Sequence, residues 1–300
     1  MEDIERVRER LENIRSVEPI ISSLRTVAAG GWRQALRRLR VAQIYVDNLS
    51  AVLATWLRPG ERRPASPLVA PEGFVPRRVL MVVIASERGL CGAFNNIVLE
   101  GAQALIVQQQ IQSEQVRVMA LGARAEAFFR RQGRDLYASQ PLPITRVASL
   151  DMVRDLGATL LDALYAQEFD AIMVVYSPYQ SGATAPPVSR RWLPVDPSIL
   201  PMRAEEWLQP IIETDPQTLF QQALEEWILA RLYQFIMESA ASEHSARFRA
   251  MDNASNNLAR MIEELTLAYH TARQHAITME MLDLVAGSGI LRGPRGENRA

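Results

Sequence analysis

The feature that most constrains this chain of 300 residues lies near its C-terminus: between Pro216 and Gly287 there is neither a proline nor a glycine. Alternating steps of three and four residues from Met251 pass through Ala254, Leu258, Met261, Leu265, Ala268, Ala272, His275, Met279 and Leu282. All but His275 are apolar, and the positions between them carry Asp252, Asn253, Arg260, Glu263, Glu264, Arg273 and Glu280. A narrow apolar seam sustained over several heptads, with charge around it, is the pattern of a helix packed along another helix. An uninterrupted run of roughly 70 residues rises about 100 Å at ~1.5 Å per residue. That is more than a compact domain can cover, so the helix requires a long partner.

The other end of the chain supplies one. Steps of seven from Val7 give Ile14, Ile21, Ala28, Ala35, Ala42, Leu49 and Trp56, and a second row (Ile4, Leu11, Val17, Leu24, Gly31, Leu39, Val46, Leu53) drifts beside it. The drift is what a period of 3.6 residues does to a seven-residue pattern. Glu5, Arg8, Glu9, Glu12, Arg15, Arg33, Arg37 and Arg40 occupy the outer face. The spacing predicts one amphipathic helix over about residues 2–57, ended by Pro59-Gly60. Pro19 costs roughly 3 kcal/mol inside a helix and is expected to kink or split it there. Gly30-Gly31 adds roughly 1 kcal/mol per glycine, but lets a partner helix approach closely. Two ordinary helices of a bundle remain the alternative arrangement.

Five prolines (59, 64, 67, 71 and 76) mark residues 58–77 as a linker. Beyond it the pattern changes. Val79–Ile84, Val116–Leu121 and Ala171–Tyr176 are short apolar runs that suit strands buried on both faces. Helical patterns fall between them over Asn95–Gln110, Ala123–Arg131 and Asp151–Gln167. Strands alternating with helices indicate a parallel α/β domain with right-handed crossovers. Two more polar extended pieces, Val188–Leu193 and Pro210–Ile212, are expected at an edge. The predicted organisation is therefore a helix at 1–57, a linker at 58–77, an α/β domain at 78–213, a helix at 214–288 and a polar tail at 289–300.

Charge and motifs exclude more than they assign. Net charge is −1 and every cationic side chain is arginine, with no lysine, so bulk electrostatics favours neither nucleic acid nor an anionic membrane surface. The lone Cys91 has no partner for an internal disulfide, which favours a reducing compartment. The charged start Met1-Glu2-Asp3-Ile4-Glu5-Arg6 lacks the apolar segment of a signal peptide, and no apolar run is long enough to span a membrane. The expectation is a soluble intracellular chain. Ser86-Glu87-Arg88-Gly89-Leu90-Cys91-Gly92 follows a strand and precedes a helix, where phosphate-binding turns occur, but matches neither glycine-rich nucleotide fingerprint. Gly89, Cys91 and Gly92 read better as a structural turn, Cys91 being a small buried residue. His244, His270 and His275 lack the spacing of a helical metal site. Glu225-Glu226 and Glu263-Glu264 look like solvated faces, and Arg33, Arg37, Arg38 and Arg40 face a partner or solvent. No catalytic residue, metal or cofactor is nominated.

Three blocks resemble the gamma subunit of rotary, F-type ATP synthases. Ser86-Glu87-Arg88-Gly89-Leu90-Cys91-Gly92-Ala93-Phe94-Asn95 is similar to that family's SDRGLCGGFN. The stretch from Ser242-Glu243-His244 through Met251-Asp252-Asn253-Ala254 is similar to SEHAARMVAMDNA. Leu265-Thr266-Leu267-Ala268-Tyr269, continuing to Arg273-Gln274-His275-Ala276-Ile277-Thr278-Met279-Glu280, is similar to LTLxYNxxRQAAITxEL. Val27-Ala28-Ala29 is a weaker match to the family's first helix. The resemblance implies an antiparallel coiled coil of both termini, forming a rod with a Rossmann-like parallel-sheet domain inserted between the helices. It implies no catalysis by this chain, but the central stalk of a proton-driven synthase. The partners implied are three alpha and three beta subunits around the rod, with the epsilon subunit and the membrane c-ring at its base, on the cytoplasmic face of a bacterial membrane. By position, Leu24 and Arg25 in the first helix, and Arg273, Gln274 and Thr278 in the last, match residues that face the beta subunits.

Some features depart from the family pattern. Pro19 and Gly30-Gly31 are unexpected in a shaft that carries torque, and nine residues follow Leu291 where the family normally ends. No inserted cysteine pair is present, so the thiol switch of chloroplast gamma chains is not expected. Two rival readings stand beside the rotor shaft. One is a divergent gamma-like helical subunit acting outside a standard synthase; the other is an α/β enzyme that binds a nucleotide at the Gly89–Gly92 turn.

Overall fold

The computed structural model describes residues 2–56, 66–112, 114–144, 146–200 and 215–290. Helix α1 (Glu2–Trp56) is followed by β1 (Arg78–Ile84), α2 (Phe94–Gln112), β2 (Gln115–Leu121), α3 (Ala123–Arg131), β3 (Leu136–Gln140), α4 (Leu150–Tyr165) and β4 (Ala171–Tyr176). A two-stranded hairpin of β5 (Tyr179–Gln180) and β6 (Ala183–Thr184), then β7 (Val188–Leu193), lead to α5 (Pro216–Ile290). The sheet domain thus lies in sequence between two long terminal helices. The chain divides into two compact units, Met1–Arg25 with Met251–Ala300, and Thr26–Ala250.

In the Thr26–Ala250 unit the sheet runs in the order β3-β2-β1-β4-β7, with β7 antiparallel to β4 and the other neighbours parallel. Strand β1 explains the continuous apolar run. Its residues Leu80, Val82 and Ile84 face a core shared with α1, α4 and α5, while Val79, Met81 and Val83 face a second core built with α2 and α3. Both faces are covered, so beyond Arg78 at its start the strand leaves no position for a polar side chain. The expected edge position of Val188–Leu193 is met by β7. The expected extended piece at Pro210–Ile212, and the polar tail after Leu291, lie outside the described residues. Strand β3 has no counterpart in the sequence prediction: its Leu-Tyr-Ala-Ser-Gln carries no buried residue, and it pairs only with β2.

Helices α1 and α5 run antiparallel within this unit. Ala28, Ala35, Leu39, Ala42, Val46 and Leu53 of α1 are buried, as are Phe220, Leu224, Trp227, Ile228, Leu232, Phe235 and Ile236 of α5. Gly31 makes the closest approach. A Cβ there would lie 2.7–2.9 Å from the ring atoms of His244, whereas a Cβ at Gly30 would meet nothing within 4 Å. Of the two glycines only Gly31 is required by packing. Polar ties are spread along α5. Trp227 Nε1 donates to Ser50 Oγ (2.7 Å), Trp192 Nε1 to the Ile228 carbonyl (2.8 Å), and the Ser177 and Ser242 hydroxyls share a bond of 3.0 Å.

In the other unit, Leu11 and Met251 are buried and Arg25 Nη1 donates to Asp252 Oδ1 at 3.1 Å. Of the two outcomes expected at Pro19, a split does not occur, since α1 continues through it without interruption. Pro19 and Arg15, whose carbonyl loses its helical donor, are both exposed, so water can take the orphaned acceptor and the penalty is not compounded by burial. His275, placed by the pattern on the apolar seam, is exposed, as are Ala268, Met279 and Leu282. The start of α1 explains this: Arg8 lies near Tyr269, so an antiparallel α1 beginning at Glu2 has little length left to cover α5 beyond it.

Candidate functional site

Two groups of residues singled out by the sequence fall in different units, and each has its own surroundings. In the unit of Met1–Arg25 with Met251–Ala300, Leu24 is half-buried and Arg25 pairs with Asp252, the two side chains being 37% and 41% exposed. Only one of the five guanidinium N–H groups of Arg25 is used in that pair, so the others can reach an external acceptor. Arg273, Gln274 and Thr278 are exposed on α5, and Thr278 Oγ1 donates to the Gln274 carbonyl at 2.8 Å, one turn back. Within this unit Leu24 and Arg25 form one group and Arg273, Gln274 and Thr278 a second, and the two are not gathered at one point. Asp252 and Arg273 are separated by roughly 30 Å along the helix at ~1.5 Å per residue. Around the second group the apolar side chains Leu267, Ile277, Met279, Met281, Leu282, Leu284 and Val285 are each between 49% and 71% exposed. So large an apolar surface on one helix is a surface made to be covered by something else.

The turn at Ser86–Gly92, in the Thr26–Ala250 unit, is built from the inside out. Asn95 Oδ1 accepts from the Ser86 backbone N–H (3.2 Å), and Asn95 Nδ2 donates to Cys91 Sγ (3.1 Å). Glu87 Oε2 accepts from the backbone N–H groups of Ala123 (3.0 Å) and Leu142 (2.9 Å), fastening the turn to α3 and to the segment after β3. Leu90 and Gly92 adopt positive φ of 63° and 58°. That conformation is costly for leucine and free for glycine.

The residue that the sequence reasoning missed is Arg247. Its Nη2 donates to the carbonyls of Arg88 (3.0 Å) and Gly89 (3.3 Å), and its Nη1 lies 2.6 Å from Glu243 Oε1. Both charged side chains are nearly buried, at 11% and 15% exposure. Burial pushes the Glu243 carboxyl above its ordinary range, against the pull of the Arg247 charge. Cys91, buried beside them, has its thiol pushed up by burial as well, which leaves it a poor nucleophile. His244, on the next position of the helix, is lowered to about 4 by burial and by the Arg247 charge, so its ring is neutral at pH 7. Chemically the turn presents carbonyl oxygens, already taken by a guanidinium, in place of the free N–H groups that a phosphate cradle needs. Among the described residues no group of three or more His, Cys, Asp or Glu side chains is placed to hold a metal ion, and no helix is long and apolar enough to cross a membrane. In sequence, Glu243 and Arg247 look like any solvated i, i+4 pair. The only signal of burial was their setting, flanked by Ala240, Ala241, Ser242, Ser245 and Ala246.

The family profile described as ATP synthase matches residues 3–291. The chain is 30% identical over 293 residues to the ATP synthase gamma chain of Geobacter sp. (strain M21), covering 98% of this chain and 100% of that one. It is also 30% identical over 291 residues to the ATP synthase gamma chain of Pelotomaculum thermopropionicum, covering 97% and 100%. In fold it is similar to a chain in the Euglena gracilis mitochondrial ATP synthase assembly of OSCP, F1 and c-ring, with a TM-score of 0.64 at 16% identity, covering 99% of both chains.

Proposed function

The chain belongs to the ATP synthase gamma-chain family, and from that premise we propose that it is the central-stalk subunit of a proton-driven ATP synthase. It is a non-catalytic subunit that couples rotation of a membrane ring to the conformational cycle of the catalytic beta subunits. The observation that carries this reading is that the likeness runs end to end, through both terminal helices and the sheet between them. Its partners are the alpha and beta subunits around the helices, with the epsilon subunit and the c-ring at the base. The complex is membrane-associated, and we place it on the cytoplasmic face of a bacterial membrane. The functional division follows the sequence: helices at 1–57 and 214–288 as the shaft, 58–77 as linker, 78–213 as the α/β domain and 289–300 as a polar tail.

Coupling of this kind is a population shift. An asymmetric shaft touches each beta subunit differently at each angle, and the difference in contact energy favours one catalytic conformation over another. Leu24 and Arg25 supply one contact zone, where Arg25 has donors to spare beyond Asp252. Arg273, Gln274 and Thr278 supply a second, with polar heads above an apolar surface. Gly89, Cys91 and Gly92 act as a structural joint, a role supported by the Arg247 bonds that occupy the turn carbonyls.

Co-expression of a tagged chain with alpha and beta subunits tests this reading. Recovery of one copy beside three alpha and three beta subunits, with ATPase activity that depends on the chain, is the expected result. A chain that elutes alone and leaves that activity unchanged overturns it. Micromolar binding of ATP or ADP to the isolated chain would revive the enzyme reading of the turn.

A further inference from the structure

At the β7 edge of the sheet lies a cavity of about 560 Å³, bounded by Tyr176 at the end of β4, Ser189, Arg190 and Arg191 of β7, Asp196 beyond it, and Arg231 of α5. We propose that this cavity is a binding site for a phosphate-bearing anion. The proposal goes beyond the coupling role and does not depend on it.

Cationic side chains outnumber anionic ones along the cavity. Three guanidinium groups line the cavity, from two elements of structure, against the single carboxylate of Asp196. Arg191 Nη2 is engaged with Asp196 Oδ2 at 2.6 Å, but its Nε is buried and has no hydrogen-bond partner among the described residues. Arg231 is held over the rings of Trp227 and Phe235, 5.7 and 4.9 Å from their centroids, and donates to Gln234 Oε1 at 2.8 Å. Burial makes its positive charge more costly, and the nearby charge of Arg190 adds to that cost, while Glu238 and Asp47 act the other way. Glu238, which accepts from Tyr176, supplies a second carboxylate beside Arg231 and Arg190. Arg190 itself is exposed and, among the described residues, makes no hydrogen bond or ion pair. Its backbone is fixed opposite Val174 by the β4–β7 ladder, so the spare charge is delivered to a defined place.

A phosphoryl group suits this arrangement. It carries several acceptor oxygens that match the fork of a guanidinium, and it would relieve the repulsion between Arg190 and Arg231. The hydroxyl of Ser189 adds a donor; among the described residues its Oγ has only the sulfur of Met173, at 3.9 Å, as an acceptor. The volume falls within the range of about 300–1,000 Å³ common to small-ligand sites. The phosphate could arrive free in solution or as an anionic lipid headgroup, and the chemistry of recognition is the same.

The full chain would be titrated with inorganic phosphate in a calorimeter against a chloride background, and separately floated with vesicles of phosphatidylglycerol or of phosphatidylcholine. Arg190→Gln, an exposed position, is compared with Arg37→Gln, an exposed arginine far from the cavity in sequence. Saturable binding of phosphate identifies a soluble ligand; flotation with phosphatidylglycerol alone identifies a lipid headgroup. In either arm Arg190→Gln is expected to weaken binding about tenfold to a hundredfold, the loss of one charge-assisted hydrogen bond, and Arg37→Gln to leave it unchanged. No saturable binding in either arm, or equal loss in both variants, overturns the assignment.

Discussion

Adding one methyl group at two successive positions of α1 is expected to move stability in opposite directions. Gly30→Ala and Gly31→Ala share the same gain: alanine is favoured over glycine in a helix by about 1 kcal/mol, largely because the unfolded chain has fewer conformations to lose. At position 30 nothing within 4 Å opposes the new methyl, so the gain of about 1 kcal/mol is kept. At position 31 the methyl would lie 2.7, 2.8 and 2.9 Å from Cε1, Nδ1 and Nε2 of His244. That ring is 5% exposed and has no open side to swing toward, so relief must come from shifts in the packing. Overpacking of this kind costs about 1–3 kcal/mol, which cancels the helix gain or exceeds it by up to about 2 kcal/mol. Since the unfolded-state contribution is common, the difference between the variants isolates the clash. Urea unfolding of the full chain measures it, with tryptophan fluorescence as readout, because Trp32 sits beside the site with its ring 5.8 Å from that of Phe248. Adding His244→Ala to each variant closes a mutant cycle in which the penalty at position 31 should vanish. Equal shifts in the same direction for both variants, or a penalty that persists without the imidazole, refute the reasoning.

Three further expectations concern charge. His244 is held neutral down to about pH 4 in the folded chain against an ordinary value near 6.5, so between those limits the unfolded chain binds a proton that the folded chain does not. Its contribution is complete above pH 6.5 and falls away as pH drops toward 4, by about 3 kcal/mol at ~1.36 kcal/mol per pH unit. Urea midpoints from pH 7 to 4 should therefore converge for wild type and His244→Gln, and parallel curves would exclude His244 as the cause. Arg247→Met leaves the buried Glu243 carboxylate without its cation and should cost about 3–5 kcal/mol. Glu243→Leu combined with Arg247→Met should recover most of that in thermal unfolding, and a double variant as unstable as the single would place the loss elsewhere. Arg25→Ala removes a half-exposed pair and should change stability by less than about 1 kcal/mol. If Arg25 is a coupling contact, ATPase activity of the assembled complex should fall all the same, and unchanged turnover would remove it from that role.

Much of the fold was legible because burial leaves a periodic trace. The continuous apolar run Ala171–Tyr176 is β4 to the residue, and Ala123–Arg131 is likewise α3. Strand β3 was not legible, since a half-exposed edge strand such as Leu-Tyr-Ala-Ser-Gln carries neither an apolar run nor a clean alternation. Pro19 was weighed by its intrinsic cost alone, whereas its exposed setting lets water meet the freed carbonyl. His275 was placed on an apolar seam that is exposed at this point, because periodicity does not show where the partner helix begins. The Glu243–Arg247 pair was hidden for a related reason: charge pairing at i, i+4 looks the same in sequence whether water or protein surrounds it.

The polar ties along α5, from Trp227 through Ile228 and Ser242 to Arg247, lie on a stretch of roughly 30 Å at ~1.5 Å per residue. A load borne by the sheet is thereby divided among several rivets in parallel, one to β7, two to the segments that follow β4 and β1, and one to α1. No single bond meets the whole of a torsional stress, and the seam resists slipping even while any one rivet is momentarily open.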